Sequence, residues 1–247
     1  MGRTISIKGA LPLFRSDPEG AAVRGVVIVI HEVWGLVDHI RNVADRLAGE
    51  GYIALAPDIL SSAGITPQLG AKLERLTFGD ERARADAQPM MRQKLAPSRA
   101  PDYAMWAVDA LRDVVDYAAE LPGIDGRIAV TGFCFGGGYS FALAAADSRV
   151  KAAIAFYGYP PASTAVAAIE CPVLAFYGDR DSQLMASLPG LTATMAAAAV
   201  DFTPRVYRGA GHAFFNDTNV VTYDAQAASD AWTRMLRFLA HTLADQR

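Results

Sequence analysis

Five consecutive apolar residues, Val26-Val-Ile-Val-Ile30, constrain the fold of this chain more than any other stretch. A strand wetted on one side alternates apolar and polar residues. A strand that is apolar throughout is buried on both faces, and such strands belong to sheets covered by helices. Apolar runs recur at 52–56, 128–131, 152–157 and 173–177, and a further strand is expected at about 203–207. Helical segments fall between them. At 38–50 Ile40, Val43, Ala44 and Leu47 repeat at helical spacing, and Gly51 stops the helix. Further helices are expected at 103–121, 139–146, 188–199 and 223–242, and a loop carries Pro160 and Pro161. Strands alternating with helices imply an α/β fold, a mostly parallel central sheet with helices on both faces. Two short segments at the start, 4–8 and 11–15, read as a hairpin followed by a turn at Asp17 to Gly20.

The length of 247 residues suits one large α/β domain over 1–247, with 61–101 as a covering excursion. That excursion holds Gly64, Pro67, Gly70, Gly79, Pro89 and Pro97. It is too long for a simple loop, so short helices are expected in it. Lysine and arginine number 23 against 26 aspartates and glutamates, a net charge of −3 with no basic stripe, so no nucleic-acid partner is expected. No apolar run approaches the ~20 residues of a membrane span. The first residues lack a signal-peptide core, and two cysteines are too few for a disulfide scaffold, so a cytoplasmic setting is expected. Cys171, before Pro172, reads as structural. Monomer and homodimer both stay open.

The chemistry centres on Gly132-Phe-Cys134-Phe-Gly136. An apolar strand enters this turn and a helix-competent segment leaves it. Glycines flank the turn where strand and helix approach too closely for a Cβ. The middle residue stands at a helix N-terminus, where free N–H groups favour a thiolate. A thiol nucleophile needs a base, and the base needs a carboxylate to set its tautomer. Of the histidines 31, 39, 212 and 241, His212 follows Gly209 and Gly211 in a loop after a strand and is the candidate base. Asp179 and Asp181 compete for the third role, and Asp181 is favoured because it lies further from its strand. Active residues of open α/β sheets gather beyond the carboxyl ends of the strands. Glu32, Cys134, Asp181 and His212 all fall there.

The chain resembles the dienelactone hydrolase family (carboxymethylenebutenolidases) of the α/β-hydrolase fold. The residues that carry the resemblance are His31-Glu-Val-Trp-Gly-Leu36, Gly51-Tyr52, Ala56-Pro-Asp58, Gly132-Phe-Cys-Phe-Gly-Gly137, Tyr157-Gly158, Tyr177-Gly-Asp-Arg-Asp181 and Gly211-His-Ala-Phe214. The resemblance implies Cys134, Asp181 and His212 as the triad, and Glu32 as a glutamate that contacts the resting thiol. A carboxylate there disfavours a free thiolate by like charge. The oxyanion hole is expected from the backbone N–H groups of Phe135 and Val33. The family binds a substrate carboxylate with two arginines. One matching position is Asn216, which cannot replace a bidentate cation; Arg84, in the excursion, is a candidate for the other. Trp34, Tyr157 and Phe214 are candidates for an apolar wall.

The activity implied is hydrolysis of a small ester or lactone through an acyl-enzyme. The alternatives are a broad carboxylesterase or thioesterase without lactone preference, and a non-catalytic ligand-binding protein of the same fold. No cofactor and no metal are expected. No His/Cys cluster has ligand spacing, and no G-x-G-x-x-G follows an early strand.

Overall fold

The computed structural model describes residues 2–20, 22–159 and 163–244; the expected loop at Pro160 and Pro161 lies outside the described residues. Eight strands form one sheet: β1 (Arg3–Ile7), β2 (Leu11–Ser16), β3 (Val26–Ile30), β4 (Ile53–Pro57), β5 (Ile128–Phe133), β6 (Val150–Phe156), β7 (Val173–Gly178) and β8 (Phe202–Tyr207). Their order across the sheet is β1-β2-β4-β3-β5-β6-β7-β8. The hairpin β1–β2 and the pair β2–β4 are antiparallel, and every other neighbouring pair is parallel. All residues of β3, β4, β5 and β7 are buried, which is why these runs contain no polar alternation.

Helices α1 (Asp38–Gly49) and α8 (Ala225–Thr242) pack on one face of the sheet, with the Arg46 guanidinium of α1 3.9 Å from the Trp232 ring of α8. Three helices pack on the other face: α4 (Pro101–Ala119), α5 (Phe135–Ala146) and α7 (Ser182–Ala197). In α1 the apolar stripe Ile40, Val43, Ala44 and Leu47 is fully buried. Gly51, at φ +92°, turns the chain out of that helix; its N–H donates to Ala48 O and that of Tyr52 to Leu47 O, closing the helix end.

Two helix starts differ by several residues from the sequence reading, and one short helix is additional. Helix α5 starts at Phe135, directly on the elbow, because glycines 136 to 138 are held there by close packing rather than left as a loop. Helix α7 starts at Ser182, since the Asp181 side chain caps the Leu184 N–H and buried Leu184, Leu191 and Met195 carry the helix through Pro189. A short helix, α6 (Ser163–Val166), precedes β7.

The segment 61–101 folds into α2 (Pro67–Thr77), α3 (Glu81–Leu95) and two single 3₁₀ turns. Thr66 caps α2 and Asp80 caps α3. Leu73 of α2 packs with Trp34 and Val37, forming a small second apolar cluster beside the main core. Gly70 lets α2 sit on the chain after β3: a Cβ there would lie 1.8 Å from Trp34 O. No described helix is long and apolar enough to cross a membrane.

Candidate active site

The carboxyl ends of β3, β5, β6, β7 and β8 lie side by side, so the residues that follow them converge. The sharpest turn follows β5. Cys134 has φ 53° and ψ −109°, a conformation L-residues avoid. What forces it is the approach of α5 to the sheet. A Cβ on Gly132 would meet Gly136 O at 2.0 Å, and one on Gly136 would meet Ile30 O at 2.2 Å. Gly137 and Gly158 also crowd each other: a Cβ on Gly158 would lie 2.3 Å from the carbonyl carbon of Gly137. The Cys134 N–H donates to Phe156 O at 2.9 Å, tying the elbow to β6. The side chain is half-buried at the N-terminus of α5, with no side-chain cap over the helix end. Phe135 is the first residue of α5, so its N–H has no acceptor inside the helix. Val33 N–H, on the loop after β3, has no acceptor among the described residues.

His212 and Asp181 meet across the ends of β7 and β8, with Nδ1 and Oδ2 2.5 Å apart. The Asp181 side chain is 9% exposed and the His212 ring 36%. Asp179 does a different job. Its Oδ1 accepts the Gly209 N–H at 2.7 Å, and its own N–H donates to Tyr207 O, so it joins the two loops that carry the pair. Burial opposes a charged His212, but hydrogen bonding to Asp181 and Cys134 and the charge on both outweigh it, and the ring is pushed up to about 10. Burial likewise opposes the Asp181 carboxylate, while the bond to His212 and the Leu184 N–H hold it below its ordinary range. The carboxylate on Nδ1 thus favours the protonated ring.

Glu32 is 2% exposed, and both its oxygens are engaged. Oε1 accepts from Tyr157 Oη at 3.2 Å and Oε2 from Asn216 Nδ2 at 2.7 Å. Burial, followed by the charges of Glu32 and Cys134, raises Tyr157 well above its ordinary range, so the phenol stays a donor. Glu32 thus faces Tyr157 and Asn216. Among the described residues it makes no hydrogen bond to the Cys134 sulfur, the contact that the sequence comparison with the family implied.

Asn216 is fully buried, and its amide stands at the position where the family resemblance implies a carboxylate-binding arginine. Arg84 stands exposed on α3 and makes no hydrogen bond or ion pair with these residues among those described. Trp34 is 7% exposed and packs edge-on against Phe78 under the excursion. Phe214 is fully buried, its ring against Tyr157 and Tyr207. Both are buried among aromatic neighbours. Tyr157 has its ring centroid 5.1 Å from that of His212 and is held at φ 39°.

The roles of two participants were not legible in sequence. His31 is fully buried and held neutral by burial. Its Nε2 accepts the Ile59 N–H at 3.2 Å, which leaves Nδ1–H to donate to Glu32 O at 2.8 Å, bracing the loop that presents Val33. Glu74, from α2, joins the Glu32 network through Thr218. His31 opens the motif 31–36, but nothing local gives it this bracing role, and Glu74 lies in no recognisable pattern. Cys171 is buried and its thiol is pushed up to about 11 by burial, unlike a reactive cysteine. Among the described residues no three His, Cys, Asp or Glu side chains group as metal ligands.

A model of the dienelactone hydrolase family matches residues 14–243. A protein of Saccharolobus solfataricus named "Putative carboxymethylenebutenolidase" is 32% identical, over 90% of this chain and 95% of that one. One from Escherichia coli K12 with the same name is 32% identical, over 86% of this chain and 75% of its own. The crystal structure of a dienelactone hydrolase, so named with the same qualifier, from Klebsiella pneumoniae superposes with a TM-score of 0.81 at 29% identity, covering 97% of this chain and 98% of that one. A dienelactone hydrolase-like promiscuous phosphotriesterase from metagenomic libraries superposes with a TM-score of 0.72 at 25% identity, each chain 98% covered.

Proposed function

The chain belongs to the dienelactone hydrolase family and is a hydrolase, and from that premise we propose that it cleaves small uncharged esters or lactones through a Cys134-His212-Asp181 triad. The observation that carries this reading is a single ring. His212 is bonded to Asp181 on Nδ1, and Cys134, held at a strained elbow, acts on the same imidazole.

In this reading the Cys134 sulfur attacks the carbonyl carbon and a C–S bond forms. The carbonyl electrons move to oxygen, which the N–H groups of Phe135 and Val33 hold. Two such donors are each worth about 10²–10³ in rate. The intermediate collapses, the C–O bond breaks, and His212 gives its proton to the leaving alkoxide. Water then attacks the thioester, His212 takes the proton from it, and the C–S bond breaks to release the acid. Asp181 keeps the ring in the required tautomer and stabilises its charge throughout.

The substrate class rests on Asn216. A carboxylate on the acyl group needs a cation. The position that would supply one instead holds an amide bonded to Glu32 at 2.7 Å. A carboxylate-bearing dienelactone would face Glu32 without compensation, which favours a general carboxylesterase over a dedicated dienelactone hydrolase. The test is hydrolysis of p-nitrophenyl acetate and of a dienelactone by the wild type, Cys134→Ala and His212→Ala. The expected result is ester cleavage by the wild type, roughly 10³-fold or more slower in either variant, with the dienelactone the poorer substrate. Equal ester rates in all three proteins contradict the triad. A dienelactone preference contradicts the substrate assignment.

A further inference from the structure

The covering segment sends one acidic side chain into the network around Glu32. Glu74 of α2 is 9% exposed and, among the described residues, has no lysine or arginine as an ion-pair partner. Its Oε1 lies 3.2 Å from Thr218 Oγ1, which lies 2.6 Å from Asn216 Oδ1. On its other side the Asn216 amide donates to Glu32.

Donor counting fixes the direction of this chain. Thr218 Oγ1 has one hydrogen to give and two acceptor-type neighbours. Asn216 Oδ1 cannot donate, so at 2.6 Å it takes the Thr218 hydrogen. The Glu74 contact is then a hydrogen bond only when Glu74 is a carboxylic acid donating to Thr218. Read so, every bond points one way: Glu74 to Thr218, Thr218 to Asn216, Asn216 to Glu32, with Tyr157 converging on the other oxygen of Glu32. The chain ends on the one member with only acceptors, an ionised Glu32. The electrostatic surroundings agree. Burial and the charge of Glu32, beyond β3, raise the Glu74 carboxyl above its ordinary range, while Thr218 and Asn216, from the loop after β8, and His39, from α1, act the other way and are outweighed.

We propose that Glu74 is a positioning residue of this site: as a neutral acid on the covering helix it orients Thr218 and Asn216, and through them holds Glu32 turned away from the Cys134 sulfur. With the chain cut, the Oδ1 side of the Asn216 amide is held by the Thr218 N–H alone, at 3.0 Å, and the grip of Asn216 on Glu32 is loosened. Glu32 is then free to turn toward the sulfur, where its charge disfavours the thiolate. The inference rests on Cys134 as the nucleophile.

The experiment is the pH profile of Cys134 alkylation by iodoacetamide, followed by peptide mapping, for the wild type, Glu74→Gln, Glu74→Ala and Leu73→Ala. Leu73 is buried on the same helix and packs against Trp34 and Val37, outside the network, so it reports plain loosening of α2. Glu74→Ala is expected to raise the midpoint by about half a unit or more. Glu74→Gln, whose amide still donates to Thr218, is expected to return it toward the wild-type value, and Leu73→Ala to leave it in place. Should Glu74→Ala not fold, Thr218→Val cuts the same chain from the other side and carries the same expectation. An unmoved or lowered midpoint in the cut variants overturns the proposal, as does a Glu74→Gln profile that matches the cut ones or a Leu73→Ala shift of equal size. Alkylation requires no turnover, so failure of the hydrolase reading is seen separately, as undiminished ester cleavage by Cys134→Ala.

Discussion

At the scale of residues, the site is paid for in backbone strain. Three of the non-glycine residues with positive φ stand within it: Cys134, Tyr157 and Ala213. Such conformations cost about 1–3 kcal/mol each. Cys134→Gly is therefore expected to be more stable than Cys134→Ala by about 1 kcal/mol or more, although both lack the sulfur; urea denaturation of the two variants decides this, and equal stabilities contradict the strain argument. Much of the proposed triad was readable here, because its candidate nucleophile, acid and histidine each follow a strand in the expected order. The choice of Asp181 over Asp179 rested on distance along the chain. In the structure Asp181 is the one on the ring, while Asp179 fastens Gly209. The Glu32–Asn216 bond was not legible. Those residues are 184 apart in sequence, and nothing local to either says that they face each other.

At the scale of elements, the elbow works because α5 lies almost against β3. Gly136→Ala is expected to be severely destabilising, since its Cβ would meet the backbone oxygens of Ile30 at 2.2 Å and His31 at 2.6 Å, which cannot give way without moving the sheet. Gly190, inside α7, has nothing within 4 Å of its would-be Cβ. Gly190→Ala is expected to stabilise by about 0.5–1 kcal/mol through helix propensity alone. Thermal melts of both variants test the contrast, and a Gly136→Ala protein as stable as the wild type refutes the close-packing account. Strand positions were readable because fully apolar runs leave little choice of environment. Helix starts were less so. Those of α5 and α7 are set by a packed glycine turn and by the Asp181 cap, both tertiary facts. The excursion was read as short helices, but its attachment to the site through Gly70 and Glu74 depends on surfaces that only the fold brings together.

At the scale of the molecule, the parallel sheet gathers five loop ends at one edge, and α2 covers part of the same edge. This links the site to overall stability through Glu74. Its carboxyl is raised above the ordinary value of 4.5, chiefly by burial and then by Glu32. The folded state therefore holds this proton more tightly than the unfolded chain does. The stability this confers is fully present below pH 4.5 and is lost as pH rises through the folded-state value. Glu74→Gln cannot ionise, so its stability relative to the wild type is expected to rise with pH above 4.5 and then level off. Urea midpoints measured across the pH range check this, and a constant difference between the two proteins contradicts it.

The central claim is that the Cys134 sulfur carries the acyl group. Its most direct test is acid quenching of the protein during turnover of p-nitrophenyl acetate, followed by peptide mass mapping, with His212→Ala alongside to slow deacylation. The account predicts one acetyl group on the peptide containing Cys134 and none on that containing Cys171. Ester turnover with no adduct on Cys134, persisting undiminished in Cys134→Ala, would contradict it.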